Sequence, residues 1–504
     1  MNAAGFAMEA PLAQQMGVLL PYLVVAGGGL LILFVDALAR PPAKGRLIGL
    51  SVLAIVGAAL AQILPEAGPP STLLGGMISR EPFSAFFNVL FLAVALVTVT
   101  FALRPFGREG GFGGEFVPLL LFCVLGMMVL ASANDLLSVY LGLETMSLAT
   151  YVLVAGRKGS ERSSEAGFKY LLLGGFSSAF LLFGIALVFG FAGTTSLPGI
   201  REALASSGEG SWLLSLGGGL ILVGFGFKIA MVPFHMWTPD VYDGAPSLVT
   251  GFMATGIKAA AFAALIRFTL VLLPALADLW FPLLSVLAVL TMTAANLMAL
   301  AQTNIKRMLA YSSIAHAGYL LLGVLAVLAA GRGAPEAEAV TSAAGSGMLF
   351  YLVGYTVMNL AAFGIVSFLG PGAGTDADEI RGYAGLARRQ PLVSAALAVS
   401  LFSLAGIPPT VGFMGKFYVF DAVVRAGLVP LAVWGVVNSL LSVYYYLRVV
   451  VVMYMSPGDE IAYDGRSRGS AFAVAVLAAV NLVLGVLPGA VHRLAEAAFR
   501  TIAF

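Results

Sequence analysis

Apolar runs of about 20 residues recur along the whole chain, separated by short clusters of Pro, Gly and charge. A helix of that length rises about 30 Å, the thickness of a bilayer's hydrocarbon core. Fourteen such runs are read, at 17–38, 46–64, 83–103, 116–133, 136–155, 165–192, 212–232, 246–271, 279–301, 308–329, 345–369, 391–425, 429–455 and 470–488. The pattern predicts an all-α polytopic membrane protein of about 14 transmembrane helices, with 1–504 forming a single membrane domain. The twelfth run is too long for one straight span. It contains Pro408 and Pro409, which remove backbone donors and clash with the preceding turn, so it reads as two half-helices. The seventh runs apolar to Lys228 and then meets Pro233 and Pro239. The longest connections, near 193–211 and 370–390, leave no room for a soluble domain.

Each broken run carries a lysine near its break, Lys228 before Pro233 and Lys416 after Pro409. Discontinuous helices at equivalent places in two halves point to a transport site, because half-helix ends expose backbone groups that must face protein or water. The step from the seventh to the twelfth run is five. Two five-helix repeats therefore fit, at 116–271 and 279–455, and the odd number inverts the second. Three helices at 17–103 would precede them and a C-terminal helix within 470–504 would follow.

Composition narrows the function. Of 504 residues 60% are apolar, and 27 Lys+Arg with 25 Asp+Glu make only 10% charged, against about 25% in a soluble domain. A soluble enzyme is excluded. The single cysteine, Cys123, cannot supply an iron–sulfur cluster, a thiolate zinc site or an intramolecular disulfide. No Rossmann or P-loop pattern occurs in a supporting context. A net charge of +2 suggests no nucleic-acid surface. The opening MNAAGFAMEA lacks the basic region of a signal peptide, so the first span is expected to remain in the mature protein. With the N-terminus outside, fifteen basic residues fall in inner loops, among them Arg40, Arg104, Arg108, Arg157, Arg307 and Arg466. Seven fall in outer loops and ends, among them Arg201, Arg267 and Arg493. The positive-inside bias then puts both termini on the outer side.

Four ionisable residues lie well inside predicted spans: Glu144, Lys228, Lys258 and Lys416. A charge at mid-membrane is costly, faces a bundle interior and marks an ion or proton path. A buried ion pair that merely locks two helices is the plainer reading for Glu144 and Lys228 taken alone. One carboxylate cannot neutralise three lysines, so at least one lysine needs hydration or a neutral form. Polar residues gather at helical spacing around these charges. Tyr140, Glu144, Ser147 and Tyr151 form one stripe; Ser312, His316 and Tyr319 a second; Tyr351, Tyr355 and Asn359 a third. Thr255 precedes Lys258 by one turn, and Asn296 and Asn438 add isolated amides. Each stripe alone reads as helix–helix glue; their recurrence fits a file of water. His316 is either a shuttle or a satisfied interior histidine. His235, Asp240 and Asp243 match no metal-ligand spacing, so no metal site is expected, and His492, past the last span, reads as a surface residue.

The stretches LGLETMSLATYVLVAG, SSEAGFKYLLLGGFSSAFLLFGIALVFG, GFGFKIAMVPFHMWTPDVYDGAPSLVTGFMATGIKAAAF, NIKRMLAYSSIAHAGYLLLG and FSLAGIPPTVGFMGKFYVF resemble the antiporter-like subunits of respiratory complex I, over nearly the whole chain. The resemblance is nearest to the subunit N branch of that family in bacterial NADH:quinone oxidoreductase. A lysine at position 416 fits that branch, and so does the short stretch after the last span. The resemblance implies fourteen helices, two inverted five-helix repeats and broken helices 7 and 12. It assigns the proton path to the positions of Glu144, Lys228, Lys258 and Lys416, with His316 between the last two. It implies no cofactor in this subunit and a hetero-oligomer in the bacterial inner membrane. The partners implied are lipids, the antiporter-like subunit M and the small subunits K, J and A. A Mrp-type sodium/proton antiporter or a membrane-bound hydrogenase is the alternative setting.

Overall fold

The computed structural model describes residues 12–38, 44–63, 71–103, 112–207, 211–272, 276–332, 336–370, 377–458 and 468–503. The chain opens with α1 (Leu12–Leu38), α2 (Lys44–Ile63), a short antiparallel hairpin of β1 (Ser71–Leu73) and β2 (Ile78–Arg80), and α3 (Pro82–Ala102). Next come α4 (Phe116–Ser132), α5 (Leu136–Val154), α6 (Glu161–Ala192), α7 (Leu197–Ser207), α8 (Trp212–Ile229), α9 (Trp237–Gly244), α10 (Ser247–Phe252) and α11 (Lys258–Val271), the last two joined by one π-helical turn, Met253–Ile257. The second half holds α12 (Ala277–Leu300), α13 (Ile305–Gly331), α14 (Ala337–Phe368), α15 (Leu386–Arg389), α16 (Pro391–Ala405), α17 (Val411–Arg425), α18 (Val429–Met455), α19 (Arg468–Val486) and α20 (Gly489–Ala503).

Among the described residues twelve helices are long and apolar enough to cross a membrane, and α4 and α16 are shorter apolar helices. With α16 and α17 taken as one interrupted span, each of the fourteen predicted runs has a helical counterpart. The breaks fall at 230–236 and 406–410. At each, the helix before the break ends on a left-handed residue, Ala230 (φ 62°) and Gly406 (φ 86°), whose N–H groups return to the last turn's carbonyls. Polar N-caps start the helices that follow loops. Asp135 accepts from Leu137 N at 2.8 Å, and Asn304 from Lys306 N at 2.8 Å and Arg307 N at 3.1 Å.

Burial sorts the helices. The segment Ser247–Val271 is wholly enclosed and α13 and α14 nearly so, while α1, α18 and α19 turn most of their surface outward. The enclosed helices carry Lys258, His316 and the Tyr351–Asn359 stripe.

Four expectations change. The 193–211 connection contains α7, and the tail after the last span is α20, which packs on α14 and α3 with Ala495, Ala498 and Phe499 buried. Short amphipathic helices leave no 20-residue apolar run, so hydropathy passes over them. His492 is half-buried rather than on the surface, its ring stacked 4.2 Å from that of Tyr418. Arg267 is not an outer-loop residue: it is 7% exposed on α11, paired with Glu81, with Nε donating to Ala131 O at 3.1 Å. Finally, Arg40, Arg104, Arg108 and Arg466, used to orient the chain, lie outside the described residues, as does the MNAAGFAMEA segment.

Candidate functional site

Lys228 occupies the last turn of α8, where the backbone reversal at Ala230 leaves its side chain enclosed. Its Nζ donates to Ser147 Oγ on α5 at 2.7 Å and lies 5.2 to 5.7 Å from the rings of Tyr170, Tyr151 and Phe227. Ring faces attract a desolvated ammonium by their quadrupoles, so this cage tolerates the charge without a counter-ion. Behind it Tyr170 stacks on Trp237 at 4.6 Å, and Trp237 Nε1 donates to Phe227 O at 3.0 Å, tying α9 to the end of α8 across the break.

Glu144 departs from the simple pair. Its carboxylate accepts from Ser178 on α6, and no ion pair within 4 Å joins it to Lys228 among the described residues. Ser147, one turn along α5, bonds Lys228 instead. The stripe reading holds in part: Ser147 and Tyr151 are buried against the lysine, while Tyr140 and Glu144 are only half-buried.

Lys258 opens α11 directly after the π turn. A π turn shifts the following residues around the helix axis and is a common device at functional positions. Lys258 Nζ donates to Ser313 O at 2.7 Å and to Ser313 Oγ, and the Tyr355 ring centroid is 5.9 Å away. Thr255, inside the turn, donates to Gly251 O at 2.8 Å and serves its own helix rather than the lysine. Asn359 likewise donates back to Tyr355 O at 3.1 Å.

His316 sits at the centre of the second half. Nδ1 shares a 2.6 Å hydrogen bond with Tyr351 Oη and Nε2 a 3.3 Å one with Tyr446 Oη, which also bonds Ser312. A hydroxyl can donate or accept, so either tautomer is served. The imidazole is flanked by the rings of Tyr355 (5.2 Å) and Tyr319 (5.6 Å). Lys416 Nζ lies 5.0 Å from the Tyr319 ring and donates to Leu404 O and Ala405 O, both at 3.0 Å, and to Ser439 Oγ at 2.8 Å. The two carbonyls are left free by the helix break, so the proline pair creates the acceptors that hold the lysine. Lys258, Tyr355, His316, Tyr319 and Lys416 thus follow one another side by side through the bundle.

Other sequence candidates resolve into structure. Asn296 and Asn438 are one pair, Nδ2 to Oδ1 at 3.2 Å, joining α12 to α18. Asp240 accepts from Arg307 (2.9 Å) and Lys169 (3.2 Å), and Asp243 from Arg162 and from Asn304 Nδ2 (2.8 Å), so these acids strap α6, α9 and α13 together. Ser178, Ser313, Ser439, Tyr170 and Tyr446 escaped the sequence reading. Ser178, Ser313 and Tyr446 each stand in a run of like residues, Ser177-Ser178, Ser312-Ser313 and Tyr444-Tyr445-Tyr446. Both serines of each pair are buried, as are Tyr445 and Tyr446, and spacing alone cannot say which member meets the charge.

The model of a transmembrane family described as NADH:quinone oxidoreductase/Mrp antiporter matches residues 133–442. The chain is 44% identical over 490 residues to the NADH-quinone oxidoreductase subunit N of Trichlorobacter lovleyi, covering 97% of this chain and 98% of that one. It is 43% identical over 492 residues to the NADH-quinone oxidoreductase subunit N of Salinibacter ruber, with 95% of each covered. A chain of respiratory complex I from Thermus thermophilus superposes with a TM-score of 0.78 at 34% identity, covering 94% of this chain and 98% of that one. A chain of the Mrp complex from a Dietzia species shares the fold, with a TM-score of 0.82 at 22% identity and 98% of each covered. A membrane bundle with two interrupted helices, a lysine beside each break and this similarity along nearly its whole length belongs to the NADH:quinone oxidoreductase/Mrp antiporter transmembrane family.

Proposed function

We propose that the chain is a proton-translocating membrane subunit of NADH:quinone oxidoreductase, of the subunit N type, and that Lys228, Lys258, His316 and Lys416 carry the proton. The carrying observation is the succession Lys258, Tyr355, His316, Tyr319 and Lys416, whose two buried lysines, like Lys228 in the first half, are held by neutral hydroxyls, carbonyls and ring faces. A lysine fixed by a carboxylate is locked in its charged form; one held by neutral partners can give its proton up. Unit charges 4 Å apart at an effective dielectric of about 20 interact by about 4 kcal/mol, roughly a thousandfold in proton affinity. A charge change in a neighbouring subunit therefore suffices to move the proton from one lysine to the next. Tyr351 and Tyr446 hydroxyls relay at His316 by giving one proton while taking another.

On this reading the redox steps lie in other subunits and this chain holds no redox cofactor. Glu144 bonds Ser178 and Lys228 bonds Ser147, so Glu144 acts on the lysine through its field rather than by contact. The two five-helix repeats, 116–271 and 279–455, would carry one broken-helix lysine each, Lys228 and Lys416, with Lys258 also in the first, and both termini would lie on the outer side of a bacterial inner membrane. Its neighbours there would be the other antiporter-like subunits and the small membrane subunits.

The test is Lys228→Ala and Lys416→Ala in the assembled complex, read as NADH-driven proton translocation in membrane vesicles beside the amount of complex. Loss of translocation at unchanged assembly is expected. Full pumping in both variants overturns the assignment. Affinity purification that recovers small hydrophobic partners and no NADH-oxidising protein would transfer the same residues to cation/proton exchange.

A further inference from the structure

The helix α19 touches the bundle along one stripe, Ser470, Ala473, Val474, Leu477, Asn481 and Gly485, the i, i+3, i+4, i+7 pattern of one helix face continued by two further turns. Gly485 is pressed against Pro409 O and Thr410, at the second helix break; a Cβ there would run into both. Asn481 lies one turn along the same face, within the part of α19 that packs on α14, α16 and α17 around the break. It is fully buried, and among the described residues neither Nδ2 nor Oδ1 has a hydrogen-bond partner. A buried amide with both groups unmet is rare in a protein interior and rarer still in a membrane span.

The break does not need that amide as a cap. Phe402 O accepts from Gly406 N and Ile407 N, Leu404 O and Ala405 O accept from Lys416, Ile407 O accepts from Thr410 Oγ1 at 2.7 Å, and Ser403 Oγ accepts from Gly412 N at 3.0 Å. What the break does offer is carbonyl oxygens with a lone pair to spare, Leu404 O and Ile407 O, whereas Phe402 O and Ala405 O already accept from two donors each. An amide that both donates and accepts, set opposite spare carbonyl lone pairs, is matched by water and by no other ligand of that size. The opposite flank is an open, mostly apolar groove of about 780 Å³ between α17 and α18, lined by Phe413, Phe417, Val433 and Leu440, which Lys416 and Ser439 reach from the bundle side.

We propose that Asn481 holds buried water against the carbonyl end of α16, making it a positioning residue for Lys416 that hydrates the break from the α19 side. The water bonds Leu404 O, one of the two carbonyls that hold the lysine, and so sets how readily the ammonium leaves it. This rests on the role given to Lys416 above, and its tests separate the two. In the assembled complex, Asn481→Leu should lower proton translocation per NADH at least threefold without changing the amount of complex, and Asn481→Ser, which keeps a group able to bind water, should restore most of it. Full pumping in Asn481→Leu beside lost pumping in Lys416→Ala overturns the inference and leaves the function standing; full pumping in both overturns the function too. The water itself is read without any variant, by X-ray radiolytic hydroxyl labelling of the wild-type complex. Prompt labelling of Leu477 or of Met358, whose Sδ lies 3.5 Å from Ser403 Oγ, is expected. Its absence overturns the proposal even if Asn481→Leu fails to assemble.

Discussion

Arg267 and the three central lysines are all buried cations, and they are held in opposite ways. Arg267 meets a carboxylate, Glu81, a backbone carbonyl and the face of Phe83, at 4.9 Å. Lys228, Lys258 and Lys416 meet serines, carbonyls and rings, with no carboxylate within 4 Å among the described residues. Arginine never gives up its proton in a protein, so a paired Arg267 can only fasten α11 to the start of α3. A lysine with neutral partners keeps both protonation states within reach. Buried charge in this chain therefore divides into clamps and carriers by partner, not by depth.

That division can be broken most directly by truncating one cation of each kind. Lys228→Ala should reduce proton translocation by about a hundredfold, the range of a lost proton-transfer group, with the complex still assembled. Arg267→Ala should act the other way round. It leaves the Glu81 charge buried alone, costs about 3–5 kcal/mol of stability and should show as less assembled complex and a lower melting temperature. A normal melting temperature in Arg267→Ala would sink the clamp reading.

Finer contrasts separate the lysines. Among the described residues Lys228 has one hydrogen-bond acceptor, Ser147, and Lys416 has three. Ser147→Ala should therefore cut pumping several-fold more than Ser439→Ala, which leaves two carbonyls in place; equal effects would mean that Lys228 has acceptors beyond Ser147. Lys228→Arg should assemble, since ring faces accept a guanidinium, yet should not pump. Lys416→Arg should assemble poorly, because Gly406 packs against its stem, with Lys416 Cδ 3.0 Å from where a Cβ would stand.

The smallest effect concerns the outer cover of the Lys416 helix. His492 stacks on Tyr418, two residues from Lys416, and burial holds its imidazole below the usual histidine value. The folded state then binds its proton less readily than the unfolded chain. The stack carries no such cost above about pH 6.5, the ordinary histidine value, and weakens as pH falls below it. Hydrogen exchange in α20 should be faster at pH 5.5 than at pH 7.5, and His492→Phe should remove the difference.

Much of this was legible beforehand for a physical reason. Spans are long apolar runs, breaks need proline, and intramembrane charges stand out against lipid-soluble neighbours, so Lys228, Lys258, Lys416 and both interruptions were visible in the chain. The amphipathic α7 and α20 were not, because their apolar faces are too narrow and short to raise hydropathy. Nor was the burial of Arg267, which lies near a span end where a snorkelling arginine looks the same as a clamped one.

The sequence by itself determined how many times the chain crosses the membrane, where two helices must break, and which residues bring charge into the interior, since hydropathy and proline act locally. Only the tertiary structure decided which partner each charge meets. The choice of Ser313 over Ser312, of Tyr446 within three tyrosines, and of Ser147 over Glu144 for Lys228 follows from how helices are rotated against one another, and that rotation is set by the packing of the whole bundle.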